Sequence, residues 1–122
     1  MVHKIHKIAI VTDDIEGAVQ FYTEKLGLTV VERFENKDDE DYVFLDAGGI
    51  LLELMPRKTV EHAPGFHHIS FEVDSVDESV QELADQGVAI TKDPFDAGDT
   101  GIRLSFFEGP NQMNLQLFHR RK

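Results

Sequence analysis

A chain of 122 residues with 41% hydrophobic content has room for one compact core and is short for two independent domains. Its net charge of −11, with no basic cluster beyond Arg120-Arg121-Lys122, argues against nucleic acid or an anionic membrane as a partner, and the lack of cysteine excludes disulfides and thiolate chemistry. No apolar run reaches the ~18 residues of a membrane span and the N-terminus has no signal-peptide pattern, so a cytoplasmic protein is expected.

Residues 4–11 (KIHKIAIV) read as a strand leading into Asp13-Asp14, where either aspartate can cap a helix by accepting from its free N–H groups. Ile15, Ala18, Val19, Tyr22 and Leu26 then form one apolar stripe, which Gly27 should end. Residues 28–34 read as a strand, 36–41 (NKDDED) as a solvated hairpin loop, and 42–45 as the returning strand. Gly48-Gly49 marks a turn, and a strand over 50–55 stops at Pro56. Residues 57–65 (RKTVEHAPG) form a connector without periodicity. In the strand over 67–73, His67, Ile69, Phe71 and Val73 share a core-facing parity, while His68, Ser70 and Glu72 share a polar one. Ser75 can cap a second helix carrying Val76, Val80, Leu83 and Ala84, with Gly87 as its stop. Strands over 88–91, 102–107 and 113–118 follow, separated by the glycine-bearing segment 93–101 and by Gly109-Pro110-Asn111.

The second half repeats the first. Ile15, Val19 and Gln20 correspond to Val76, Val80 and Gln81 at a shift of 61, Gly27-Leu28 to Gly87-Val88 at 60, and Leu52-Glu53-Leu54 to Leu115-Gln116-Leu117 at 63. Each half is βαβββ, and one such repeat cannot cover both faces of its own sheet, so two must pack, within the chain or across a dimer. The expected fold class is therefore α+β, one domain over 1–122 with a first module over about 4–56 and a second over about 66–119.

With these residues in place the chain resembles the glyoxalase and bleomycin-resistance group, the vicinal oxygen chelate superfamily. The carriers are residues 8–15 (IAIVTDDI), Phe21-Tyr22, Leu26-Gly27-Leu28, Leu52-Glu53-Leu54, residues 65–71 (GFHHISF), Gly109-Pro110-Asn111 and Leu115-Gln116-Leu117. The resemblance implies paired βαβββ modules whose curved mixed sheets form a cup, a homodimer, and a divalent metal (Ni, Zn, Mn, Co or Fe) held by the first and last strand of each module. Carried over by position, the metal ligands are His6, Glu53, His68 and Gln116, but the shift of 61 places Lys7 rather than His6 opposite His68. A protonated lysine cannot ligate a cation, so His6 serves only if a bulge re-aims it. Gln116 can coordinate through its amide oxygen but cannot take a proton, which leaves Glu53 as the catalytic base.

The resemblance thus implies a glyoxalase-I-like lyase or isomerase acting on a small α-oxo, hemithioacetal or thioester substrate. The alternative is a metal-free protein that sequesters a small, even cationic, molecule as bleomycin-resistance members do. An epimerase or a ring-cleaving dioxygenase fits less well, because Gln116 stands where a second carboxylate belongs. Glu53, flanked by leucines, needs a cationic partner if buried, and both a metal and Lys7 qualify. Glu72 can be a replacement acid or base or a surface residue, and Arg103 an anion-binding or a solvated one. Phe71, Phe106 and Phe107 read as core, and His3, His62 and His119 as surface.

Overall fold

The structure is a computed structural model that describes all residues from Met1 to Lys122. The chain divides into two units, residues 7–67 and residues 1–6 together with 68–122, so that the first strand, β1 (Val2–Thr12), contributes to both.

In the unit of residues 7–67 the strand order is β2-β3-β4-β1, with β2 at Thr29–Phe34, β3 at Tyr42–Asp46 and β4 at Leu51–Pro56. β1 runs parallel to β4, as a connection through a helix and a hairpin permits, and the remaining pairs are antiparallel. Helix α1 (Ile15–Glu24) starts at Asp14, whose carboxylate accepts from the Gly17 N–H at 3.0 Å, and Glu40 of the acidic loop accepts from the Ile15 N–H at 2.9 Å. Its Ile15 and Val19 lie on Val43, Leu45 and Leu54, the apolar parity of β3 and β4. Leu26 is a departure from the expected stripe: the helix ends before it, Gly27 turns the chain at φ 75°, and Leu28 packs against the core while Leu26 is exposed. The connector also holds more order than its sequence suggests. Residues Arg57–Val60 form a one-turn helix, α2, tied to the acidic loop because Thr59 donates from its N–H and Oγ1 to the Asp39 carboxylate and accepts from Asn36 Nδ2.

The other unit has the order β5-β8-β7-β6, with β5 at Gly65–Val73, β6 at Ile90–Asp96, β7 at Ile102–Glu108 and β8 at Asn114–Arg120. β5 and β8 are parallel, the other pairs antiparallel. Helix α3 (Val76–Asp85) is capped by Ser75 Oγ, which accepts from the Glu78 N–H at 3.2 Å, and packs Val76, Val80 and Leu83 on Val73, Leu117 and Phe107. β6 extends well past the expected residue 91, through Pro94. It is an edge strand broken by two register shifts, where a missing N–H is tolerated, and Ser105 Oγ donates to the Lys92 carbonyl at 2.6 Å. The fold is thus α+β with the βαβββ order realised twice, and no helix is long and apolar enough to cross a membrane.

Candidate functional site

In the unit of residues 7–67, Leu52 and Leu54 turn toward α1, so the pleat sends Glu53 to the opposite face. Ala9 is in register with Glu53, and Lys7, two residues earlier on β1, shares that face. Phe44 stands directly across from Glu53 on β3, and the Lys7 Nζ lies 5.6 Å from the centre of its ring. Lys7 is 2% exposed and Glu53 8%, so two groups of opposite charge sit together almost out of water. Burial moves both toward their uncharged forms, while the attraction between them opposes that shift: the Lys7 amine is pushed down to about 8 and the Glu53 carboxyl is raised. Tyr42, in register with Phe34, has its hydroxyl pKa raised by burial and then by the nearby Glu53. Phe34 meets Phe44 edge to face at 4.9 Å. These aromatics were not singled out from the sequence, although the alternation of Tyr42 and Phe44 across a hairpin from Glu53 was the signal that could have found them.

On the other unit, Ser70 and Gln116 are in register on neighbouring strands and share a face with His68 and Glu72. His68, Ser70 and Gln116 are buried, and the His68 ring meets the face's Phe106 edge-on at 5.3 Å. Phe106 is therefore on the polar face rather than in the core beneath α3, where Phe107 packs. His6 stacks on Phe118 at 3.8 Å, and Phe118 is in register with Glu72, so His6 also belongs to this face. His6 and Lys7, adjacent in sequence, thus each lie against the polar face of a different unit. Arg103 lies on the α3 side, bound through two nitrogens to Asp77, at 2.6 and 2.9 Å, and to Asp96 at 3.2 Å. Those carboxylates hold its pKa above the ordinary guanidinium value. His119 Nδ1 lies 3.0 Å from the Val73 carbonyl, His3 pairs with Asp74, and His62 meets His67 edge-on, where burial and His62 lower the His67 pKa.

A surface cavity of about 1000 Å³ opens beside α2, between Asp13, Glu40, Arg57 and His62. It contains none of the residues that the sequence marks for chemistry, and its charges serve the fold: Arg57 faces Asp13 at 3.7 Å and Glu40 holds the start of α1. The polar faces, not this cavity, are the candidate site.

A divalent metal does not fit these residues. Lys7 brings an ammonium to the one carboxylate among the four expected ligand positions, Gln116 replaces the other carboxylate by an amide, and nowhere do three His, Asp or Glu side chains gather as a metal-binding group.

The sequence and fold have known relatives. The chain is 34% identical to the uncharacterized protein YwkD of Bacillus subtilis, over 98% of this chain and 99% of that protein. It is 24% identical to YraH of the same organism, over 94% and 97%. Among solved structures it is similar to the hypothetical protein BH1468 of Bacillus halodurans, with a TM-score of 0.82 at 22% identity over 98% of this chain and 95% of that one. It is also similar to a methylmalonyl-CoA epimerase variant of Streptomyces coelicolor, with a TM-score of 0.81 at 23% identity over the whole of both chains. At such identities the structural likeness speaks for the fold. The family model of the Glyoxalase/Bleomycin resistance protein/Dioxygenase superfamily matches residues 4–117, nearly the whole of both βαβββ repeats, and the chain belongs to that superfamily.

Proposed function

We propose that this protein binds a small organic molecule without a divalent metal, in the manner of the bleomycin-resistance branch and not as a glyoxalase-I-like lyase or isomerase. The observation that carries this reading is the burial of Glu53 beside Lys7. Abstraction of a proton next to a carbonyl calls for a carboxylate base and a cation that stabilises the enolate oxygens. Here the carboxylate's charge is already answered by the lysine, and Gln116 supplies no second base.

One observation favours a second reading, an isomerase or epimerase on an acyl or α-oxo compound. Burial raises the Glu53 pKa, as a general base working near neutrality requires. The epimerase resemblance is compatible with that chemistry and adds the fold alone.

Titration of Ni²⁺, Zn²⁺, Mn²⁺ and Co²⁺ into metal-stripped protein, with His68→Ala as control, separates metal-dependent from metal-free function. No stoichiometric uptake is expected. One ion per chain, lost in His68→Ala, would overturn the metal-free reading. In parallel, a thermal-shift screen of small molecules should find a ligand that raises the melting temperature with no metal present, since a ligand at about 100 times its Kd stabilises by about 2.7 kcal/mol. Solvent deuterium incorporation into an acyl thioester or α-oxo acid, lost in Glu53→Gln, would favour the second reading.

A further inference from the structure

Resting on the metal-free reading, we infer that the ligand of the Lys7–Glu53 face is electrically neutral: a flat aromatic or apolar molecule with a single hydrogen-bonding group. Lys7 and Glu53 cancel each other. Whether the proton between them resides on the amine or on the carboxylate, the pair carries no net charge, so the conclusion does not depend on which of the two holds it. A charged ligand placed here would lose its hydration, a heavy cost in a low-dielectric setting, and would receive in return only the field of a neutral pair. A face that held a divalent cation would have the opposite preference and draw an anion.

The rest of the face agrees with a neutral occupant. Phe44 lies under the Lys7 ammonium, Phe34 meets Phe44 edge to face, and Tyr42 is in register with Phe34. Phe34 and Tyr42 are partly exposed whereas Lys7, Glu53 and Phe44 are buried, so what the face offers to an incoming molecule is aromatic surface with one phenol. Glu32, in register with Phe44 on the edge strand β2, already has an interaction partner within the protein, so its charge is not left for a ligand to answer.

The test uses three probes that share one ring system and differ in charge: naphthalenemethanol, naphthoate and naphthylmethylammonium, titrated into the full-length protein with a chelator present. The alcohol should bind at least tenfold tighter than either ion, about 1.4 kcal/mol. Phe34→Ala should weaken the alcohol. In Lys7→Met the ammonium probe should gain at least tenfold over wild type, and in Glu53→Gln the naphthoate should gain as much. If a single variant fails to fold, Lys7→Met/Glu53→Gln, which is neutral like the native pair, should keep the preference for the alcohol. A wild-type preference for either ion, or no binding of any of the three, would overturn the inference. Failure of the underlying reading shows separately, as stoichiometric uptake of Ni²⁺ or Zn²⁺ when the chelator is left out.

Discussion

Removing one member of the Lys7–Glu53 pair leaves the other charge on a face nearly closed to water, and that asymmetry sets the largest single-residue effects in the molecule. Lys7→Met and Glu53→Gln should each lower unfolding stability by about 3 kcal/mol or more, whereas Lys7→Met/Glu53→Gln should cost well under the sum, which urea denaturation of the four proteins will measure. The pH dependence has a definite sign. Folding lowers the Lys7 pKa from 10.5 to about 8, so the unfolded chain holds that proton more tightly, and the Lys7 contribution to stability rises with pH across that window. Wild type should therefore gain stability relative to Lys7→Met between pH 8 and 10.5, and an unchanged difference would sink this assignment. That Lys7 and Glu53 share one face was legible from sequence, because a period of two and a constant repeat shift fix parity without coordinates. The direction of the His6 ring was not legible. It goes with stacking on Phe118, a contact far away in sequence that no residue type announces.

At the scale of elements, both helix starts follow from side-chain chemistry. Asp14 and Ser75 each satisfy an N–H of the first turn, and Ser75→Ala should cost about 1 kcal/mol of stability. Gly17 gives a sharper test. Alanine inside a helix is ordinarily worth about 1 kcal/mol over glycine, but a Cβ at this position would run into the Asp14 carboxylate that caps the helix. Gly17→Ala alone should leave the melting temperature nearly unchanged or lower it. The same change in an Asp14→Ala background should raise it, since the obstructing carboxylate is gone. What sequence did not disclose at this scale has physical causes. α2 spans four residues, too few to show a helical period, and is held by Thr59 bonds to a distant loop. β6 runs on through a proline because its edge position and the Ser105 bond absorb the irregularity.

At the scale of the whole molecule, the duplication decides the fold and the charge decides how solution conditions act on it. The internal repeat made both βαβββ units readable, because each repeats the same cap, apolar stripe and glycine stop. The site is less readable, since a family fold constrains where a ligand sits and not what it is. With a formal net charge of −11, the folded chain concentrates like charges that the unfolded chain spreads out. Ion pairs such as Arg33–Glu16 and Arg103–Asp77 work in the other direction, but both are largely exposed and exposed pairs contribute little. Screening should therefore remove more repulsion than attraction: the Debye length falls from about 30 Å at 0.01 M ionic strength to about 10 Å at 0.1 M. Stability measured by urea unfolding at pH 7 should rise as sodium chloride is added over that range. A fall would mean that the surface pairs, Arg33 and Arg103 foremost, outweigh the net repulsion, and charge-neutralising variants of Asp77 and Glu16 would then abolish the salt effect.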